Sequence, residues 1–281
     1  MKHLTLFLLA ATGLCLAADE LPKVYEHDVT LWKEVAVPPL SSHDEFERFM
    51  QRANLSVIDW EVERSGKSVH ASLGEGVRKT PAADRPAFAM EIPVGHKPSV
   101  TPTYVLKVSD GWLAGYNQGE FGAALWWFST NGKQRYKISD HQVNQFVVHK
   151  GRIFAAEGLD HGISFGSMIE INKTAGKWTA TTFIDLKSGC YAVAILPDNR
   201  FCLITMDKLL AVSLDKAKEE LIPYADWGGL YPNSLAVDAK SENIYIGMRQ
   251  FVASYNLKAN DHTFRFLIPS LDFLNKAAPS F

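Results

Sequence analysis

The chain has 281 residues, 47% of them hydrophobic, with 29 Lys and Arg set against 31 Asp and Glu. A chain of this length can bury a large core, and all-β folds of this size are often a single domain. The slightly acidic balance lacks the electrostatic footprint of a nucleic-acid binder, and no basic run indicates binding to a membrane surface.

Residues 1–18 predict a secretory signal peptide. Lys2 supplies a positive start, residues 4–16 are almost entirely apolar, and small residues at 17–18 suit cleavage. The apolar run is too short to cross a bilayer, and no later stretch is a transmembrane segment. A periplasmic or secreted protein is therefore predicted.

Lipid anchoring at Cys15 is the weaker alternative, because Leu14 stands where that signal needs a small residue. Cleavage removes one Lys, which leaves 28 basic residues, 31 acidic residues and a net charge of −3.

Residues 19–102 form an N-terminal segment with one short helix, predicted at 43–53. Ser42 and Glu45 have the spacing of a capping box at its start. An apolar face predicts packing against a sheet; it carries Phe46, Phe49, Met50 and Ala53.

Strand patterns follow the helix. Residues 57–62 and 68–73 flank Ser65-Gly66 and predict a hairpin, and 88–92 predict a further strand. This segment is expected to hold one or two irregular blades of a larger β-structure.

A repeat occupies residues 103–281. Its units open on a pair of alternating apolar residues before a turn, and the first of each pair is Leu106, Phe146, Val193 or Leu235. After each turn the sequence predicts three more short strands. Neighbouring sheets around an axis would bury both faces of such units. The chain is thus predicted to be an all-β β-propeller of five or six four-stranded blades with one short N-terminal helix.

Residues 231–238, continuing at 243–247, resemble blade starts in propellers of the NHL and SMP-30/gluconolactonase type. The resemblance is specific over those two stretches and loose over the rest of the repeat. It implies a propeller fold without identifying one family.

The loops of a propeller divide between two faces. Short turns predict one plain face, whereas longer segments at 116–122, 140–144, 157–166 and 226–233 predict a richer one. Because binding residues concentrate on loops held by a rigid scaffold, this face is predicted to bind a protein partner or small ligand. The candidate residues are Asn117, Glu120, Phe121, His141, Asn144, Glu157, Asp160, His161, Trp227, Tyr231, Asn233 and Arg249.

The sequence contains two kinds of candidate catalytic motif, and neither indicates catalysis strongly. Gly162-Ile163-Ser164-Phe165-Gly166 matches the G-x-S-x-G nucleophile elbow, but strand-like residues follow where that motif needs a helix. Asp-His pairs occur at 140–141, 160–161 and 261–262 and are read mainly as turn residues. No catalytic residue is assigned.

Asn144 and Asn233 hold the same position in two repeats, and Tyr191 holds it in the repeat between them. The SMP-30 resemblance implies that such Asn residues hold a divalent cation such as Ca²⁺, since amide and carboxylate oxygens suit a hard ion. Tyr191 departs from that pattern, so the cation remains an option rather than an assigned cofactor.

Two functional hypotheses follow. The first is an exported, non-enzymatic binding propeller, in one form an inhibitor or immunity protein that inserts a loop into its partner. The second is a metal-dependent hydrolase of the SMP-30/lactonase type, with His141 or His161 moving protons.

Cys190 and Cys202 are predicted to remain unbridged. With Cys202 opposite Ile195, the two side chains lie on opposite sheet faces and roughly 16 Å apart along the strand.

Overall fold

The computed structural model describes residues 25–74, 80–259, 262–270 and 273. The predicted signal peptide lies outside these residues. The N-terminal segment contains one helix and five short strands, β1 to β5. In chain order they are β1 (Lys33–Glu34), α1 (His43–Asn54), β2 (Trp60–Ser65), β3 (Ser68–Leu73), β4 (Ile92–Val94) and β5 (Lys97–Val100).

The predicted helix is confirmed at α1, and its apolar face packs Phe49, Met50 and Ala53 on the core. Ser42 is the residue before the helix, but its side chain makes no capping hydrogen bond. The predicted hairpin is formed by β2 and β3. The strand predicted at 88–92 is wrong up to residue 91: regular pairing begins only at Ile92.

The repeat forms four sheets, each of four antiparallel strands in chain order. The first blade contains β6 (Tyr104–Val108), β7 (Gly111–Asn117), β8 (Ala123–Ser129) and β9 (Arg135–Ser139). The second contains β10 (Val143–His149), β11 (Arg152–His161), β12 (Ile163–Thr174) and β13 (Lys177–Asp185). The third contains β14 (Ala192–Ile195), β15 (Phe201–Ile204), β16 (Leu209–Val212) and β17 (Lys218–Ile222). The fourth contains β18 (Ser234–Asp238), β19 (Asn243–Gly247), β20 (Val252–Asn256) and β21 (Arg265–Ile268).

The blades pack face to face in sequence order. Leu113 and Trp127 of the first blade share a cluster with Ile169 of the second. Phe154 of the second blade packs in the same way with Phe201 of the third. Alternating apolar residues therefore cover both faces of each middle sheet, as the repeat predicted.

The two N-terminal hairpins cover the outer faces of the series. The β4–β5 hairpin packs on the first blade, where Ile92 meets Tyr116. The β2–β3 hairpin packs on the fourth blade, where Trp60 meets Tyr245. The expectation of four-stranded blades is thus confirmed for four units, and two-stranded hairpins take the flanking positions.

The N-terminal segment is also bonded to the end of the repeat. Strand β1 pairs with β21 and makes the fourth blade five-stranded. The backbone N–H of Trp60 donates to the Met248 carbonyl (3.1 Å), and that of Gln250 donates to the Ile58 carbonyl (2.9 Å). These bonds join segments far apart in the chain.

One hairpin projects beyond its sheet. Strands β11 and β12 pair as far as His161 and Ile163, with Gly162 alone at the turn. Pairing of β10 with β11 stops at Glu157, and pairing of β12 with β13 stops at Ser167. Residues 158–166, which we call the ribbon, are therefore a two-stranded extension of roughly 13 Å at about 3.3 Å per residue. The sequence had predicted a loop here.

The two cysteines are free and buried, as predicted, but the predicted register was wrong by one residue. Cys202 lies opposite Ala194, and Phe201 takes the place opposite Ile195. The thiols still fall in different clusters, with Cys190 between the second and third blades and Cys202 between the third and fourth. Cys190 lies two residues before β14, so the alternation of side chains along that strand does not determine the direction of its thiol.

The base of the ribbon depends on Gly166. A Cβ at this position would overlap the carbonyl oxygen of Ser188 and crowd Gly189, whose backbone crosses the ribbon. We expect Gly166→Ala to lower the free energy of unfolding by about 1–3 kcal/mol, as overpacking does, measured by urea denaturation. Gly229→Ala is the matched control, because its Cβ would find its nearest neighbour 3.9 Å away. Equal stabilities for the two variants would contradict this account.

Candidate functional site

The loop-rich face brings several predicted residues into one hydrogen-bonded network near the inner strands. Asn117 Nδ2 donates to Asn144 Oδ1 (2.6 Å), and Gln142 Nε2 donates to Asn117 Oδ1 (2.8 Å). Asn144 Nδ2 donates to the carbonyls of Gly158 (3.0 Å) and Cys190 (2.9 Å). Asn144 thus ties the first three blades together, and its amide is fully engaged.

Glu157 extends this network into the second blade. It is buried, and its carboxylate accepts from the Ser167 hydroxyl (2.5 Å) and the Gln142 backbone N–H (3.3 Å). A buried carboxylate requires such donors. Glu157 therefore has a structural part in holding the face together.

Asp160 anchors the ribbon to the third blade. Its carboxylate accepts from the hydroxyls of Ser164 and Ser188 and from the backbone N–H of Gly189 (2.7 Å). Its own N–H donates to the Tyr191 hydroxyl (3.0 Å). Four contacts from two segments fix the orientation of the ribbon.

The ribbon borders a cleft of about 630 Å³ between the second and third blades. Ser164 lies in this cleft on strand β12, so it has no nucleophile-elbow geometry. His161 lies on the opposite ribbon face and bonds Glu120 (3.1 Å between Nδ1 and Oε2). Asp160, His161 and Ser164 therefore form no catalytic triad, and the G-x-S-x-G match is a feature of the hairpin.

The other Asp-His pairs separate. Asp140 forms an ion pair with Lys137, and His141 Nδ1 lies 2.7 Å from the Ser139 hydroxyl. His262 Nδ1 lies 2.7 Å from the Leu221 carbonyl, away from the loop-rich face. Asp261, its neighbour in the sequence, lies outside the described residues. The reading of these pairs as local structure fits their contacts.

A second group lies where the fourth blade meets β2. Asn233 Nδ2 donates to Asp59 Oδ1 (2.8 Å). Arg249 Nη1 donates to the backbone and side-chain oxygens of Asn54, both at 2.7 Å, and its guanidinium lies 4.6 Å from the Tyr231 ring centroid. Three predicted residues, Tyr231, Asn233 and Arg249, thus converge on one place.

Burial raises the pKa of Asp59 to about 6. The charge of Arg249 opposes this rise, that of Glu61 adds to it, and the hydrogen bond from Asn233 opposes it. A desolvated carboxyl at a surface junction is a site where ionisation can be coupled to binding. Nothing in the local sequence distinguishes Asp59 from an ordinary strand-end residue, and its value depends on contacts from the far end of the chain.

The prediction that Trp227 belongs to the exposed face is wrong. Its side chain is 0% exposed and lies in the cluster between the third and fourth blades, with its ring 4.7 Å from that of Phe264. Its indole N–H donates to the Thr205 carbonyl (3.4 Å). The 226–233 connection turns inward through a short 3-10 turn, Gly228–Leu230, which packs beside α1.

The predicted cation ligands fit unequally. Asn144 Oδ1 accepts the hydrogen bond from Asn117, and its amide N–H groups bond two backbone carbonyls. Asn233 Oδ1 is buried with no hydrogen-bond partner and sits beside Asp59. Across the described part of the chain, no three His, Cys, Asp or Glu side chains gather as a metal-binding group. A divalent cation at Asn144 and Asn233 stays a prediction.

Comparison with known proteins gives a fold likeness alone. No protein-family model matches the chain, and no curated protein matches it. A proposed 6-phosphogluconolactonase from Bacteroides uniformis is 16% identical with a TM-score of 0.42, covering 61% of this chain and 58% of that one. Virginiamycin B lyase from Staphylococcus aureus is 12% identical with a TM-score of 0.44, and the match covers 66% of this chain and 61% of that one. PorZ, a surface component of the type-IX secretion system of Porphyromonas gingivalis, is 8% identical with a TM-score of 0.43, and the match covers 72% of this chain and 32% of that one.

The chain thus spans less than two thirds of the length of these solved structures. They are proteins of the β-propeller type, which agrees with the resemblance seen in the sequence. The propeller-like fold of this chain follows from its own four blades, and the neighbours carry no argument on substrate or partner. Among the described residues, no helix has both the length and the apolarity needed to span a bilayer.

Asp59→Asn should remove the unfavourable free energy of keeping a buried carboxylate ionised above its pKa. Because the folded pKa of about 6 exceeds the ordinary aspartate value of 3.8, protonation stabilises the fold at low pH and this stabilisation is lost as pH rises through about 6. At pH 7.5 the variant should be more stable than the wild type by about 1 kcal/mol, after allowance for the partial exposure of the group.

Urea denaturation at pH 5 and pH 7.5 measures this difference, with the exposed Asp84→Asn as control. A variant no more stable than the wild type at pH 7.5 would show that the charge of Arg249 outweighs burial.

Proposed function

We propose that this protein is an exported, non-catalytic binding propeller that engages a protein partner through the ribbon. The observation that carries the proposal is the exposed apolar tip. Ile163 is 61% exposed and Phe165 is 38% exposed, at the end of a two-stranded extension with no sheet neighbour beyond Glu157 and Ser167.

The pairing of the ribbon places its apolar residues on one side. Leu159 lies opposite Phe165, and His161 lies opposite Ile163, so all four side chains share a face. The adjacent 3-10 turn, Gly119–Phe121, adds Phe121, which is 58% exposed. Aromatic and aliphatic groups beside a polar rim are the composition of a protein-binding hot spot.

The tip is also held in a fixed orientation, which favours binding because less flexibility is lost on association. Asp160 bonds one face of the ribbon to the third blade, and His161 bonds the other face to Glu120. The close crossing at Gly166 and Gly189 fixes the base. An inhibitor or immunity protein that inserts the ribbon into its partner's cleft is the form of function that suits this shape. The predicted signal at residues 1–18 places the encounter in the periplasm or outside the cell.

The double variant Ile163→Ser, Phe165→Ser should bind the partner at least about tenfold more weakly, since loss of a buried apolar anchor costs 1–2 kcal/mol or more. The partner is recovered from the secreted or periplasmic fraction by affinity capture on the wild-type protein and then titrated against each variant. The thermal midpoint should stay unchanged, because both side chains are exposed.

Val148→Ser is the matched control. Val148 is 54% exposed at the opposite end of the second blade, beside the β10–β11 turn. Equal affinity of the double variant and the control, or failure to recover any partner on the wild-type protein, would count against a ribbon-mediated interface.

A second candidate, a metal-dependent hydrolase, has one observation in its favour. Asn233 Oδ1 is buried without a partner, next to the desolvated carboxyl of Asp59. An amide oxygen and a carboxylate are ligands that suit Ca²⁺. Asp59 and Asn233 would hold such an ion, which would supply polarisation of a carbonyl group, and Arg249 beside them would orient the substrate.

If this candidate holds, elemental analysis after Ca²⁺ dialysis should find one chelator-removable ion per chain. Asn233→Ala should abolish that binding, and Asn131→Ala, in an exposed turn, should retain it. Lactone and ester hydrolysis should fall with the ion. A chain that binds no ion, or a variant at 233 that binds it normally, would reject this candidate.

A further inference from the structure

We propose that a pocket between the β4–β5 hairpin and the first blade binds a small organic anion carrying a carboxylate or phosphate group. This site is separate from the ribbon and independent of the proposed partner. It opens on the same loop-rich face, since Asn117 and Gln118 form part of its wall.

The pocket has a volume of about 710 Å³. Volumes of roughly 300–1,000 Å³ are typical of sites for small organic ligands. Its polar lining is rich in hydroxyl groups and cations and contains no carboxylate among the described residues. The lining side chains that matter are Thr80, Arg85, Lys97, Ser99, Thr103 and Gln118.

Arg85 supplies a fixed positive charge. Its guanidinium donates to the carbonyls of Thr80, Pro102 and Thr103, each at 2.9 Å. These neutral oxygens orient the group without neutralising it, and no carboxylate of the described residues pairs with it. A guanidinium has five N–H donors, so two remain for a ligand.

The same region of backbone is held rigidly. Thr80 and Val105 exchange hydrogen bonds, with the Val105 N–H donating to Thr80 Oγ1 at 2.8 Å, and the Thr80 N–H donates to the Thr103 carbonyl at 3.1 Å. Arg85 is therefore presented in one position, which favours recognition of a planar oxyanion.

Lys97 supplies a second, mobile charge at the rim. Its ammonium donates to Gln118 Oε1 (2.8 Å), and no described carboxylate pairs with it either. The ammonium has two further donors. Two cations that no carboxylate of the described residues pairs with, around one cavity, favour an anionic ligand, because the ligand would supply a counter-charge.

One negative charge lies near this rim. Glu91 accepts a hydrogen bond from the hydroxyl of Ser99, a lining residue of the pocket (3.1 Å). Neutralising Glu91 should remove repulsion toward an anion. The pocket and its rim therefore offer one residue, Lys97, whose neutralisation should weaken binding and another, Glu91, whose neutralisation should strengthen it.

Calorimetric titration of the full chain tests the proposal with citrate for the carboxylate class and glucose 6-phosphate for the phosphate class. Glucose, inorganic phosphate and sodium chloride at matched ionic strength are the controls. We expect one saturable site for citrate or glucose 6-phosphate, and the tighter of the two identifies the head group. Glucose should give no heat of binding.

Lys97→Gln should weaken that binding about tenfold, the loss expected for one charge-assisted hydrogen bond. Glu91→Gln should tighten it by about threefold through reduced charge repulsion. Lys67→Gln, in the exposed β2–β3 turn, should leave it unchanged. These exposed positions are chosen because Arg85 also holds three carbonyls and its replacement would disturb the fold.

The proposal is overturned if neither organic anion binds at millimolar concentration. It is also overturned if Lys97→Gln and Glu91→Gln both bind with wild-type affinity, since the ligand would then lie elsewhere. Equal affinity for inorganic phosphate would reduce the pocket to a simple-ion site and contradict the assignment of an organic ligand.

Discussion

Each blade of this chain depends on a neighbour to cover one of its two apolar faces. Phe154 and Leu113 lie on sheets that would expose them if a single blade stood alone. Each middle blade is covered by its two neighbours, but the outer faces of the first and fourth blades have no further blade in the described structure. The N-terminal hairpins meet that requirement, which explains why a segment without the repeat pattern is integral to the fold.

This packing also determines what the loop-rich face can do. The inner ends of adjacent blades lie close enough for Asn144 to bond to three of them, so polar groups there are largely consumed in holding blades together. The groups left available lie farther out, on the ribbon and around the cations Arg85 and Lys97. Recognition in this protein is therefore assigned to the periphery of the face rather than to its centre.

The repeat was predictable because its signal is local. Alternating apolar residues and turns predicted the first three strands of each blade and the fourth strand of the first and last blades, and the Ser65-Gly66 turn predicted β2 and β3. Errors arose where distant contacts decide the outcome. Trp227 stands in a polar, glycine-rich connection typical of an exposed loop, but the space between two blades buries it.

The candidate site was predictable as a face and not as a set of contacts. Residues 157–166 contain three glycines, which predicts a loop, but cross-strand pairing of residues 158–161 with 163–166 makes them a ribbon. Gly158 and Gly166 let the backbone at Gly189 pass close to the base of this ribbon. The pKa of Asp59 depends on burial and on contacts with Arg249 and Asn233, and the orientation of Arg85 depends on three backbone carbonyls. The sequence next to Asp59 or Arg85 does not indicate either set of contacts. The cysteine register failed because the turn after β14 is one residue shorter than predicted: the Leu196 N–H donates to the Arg200 carbonyl (2.8 Å), which places Ile195 opposite Phe201.

The pairing of β1 with β21 has a consequence for how the chain reaches its folded state. The first strand to be synthesised is the last to find its partner, since Lys33 pairs with Ile268. Contacts between such distant segments slow folding, because a long loop must close before they form. The fourth sheet can therefore be completed only after residues 265–268 have been synthesised, whereas the sheets of the first three blades need only strands that follow one another in the chain.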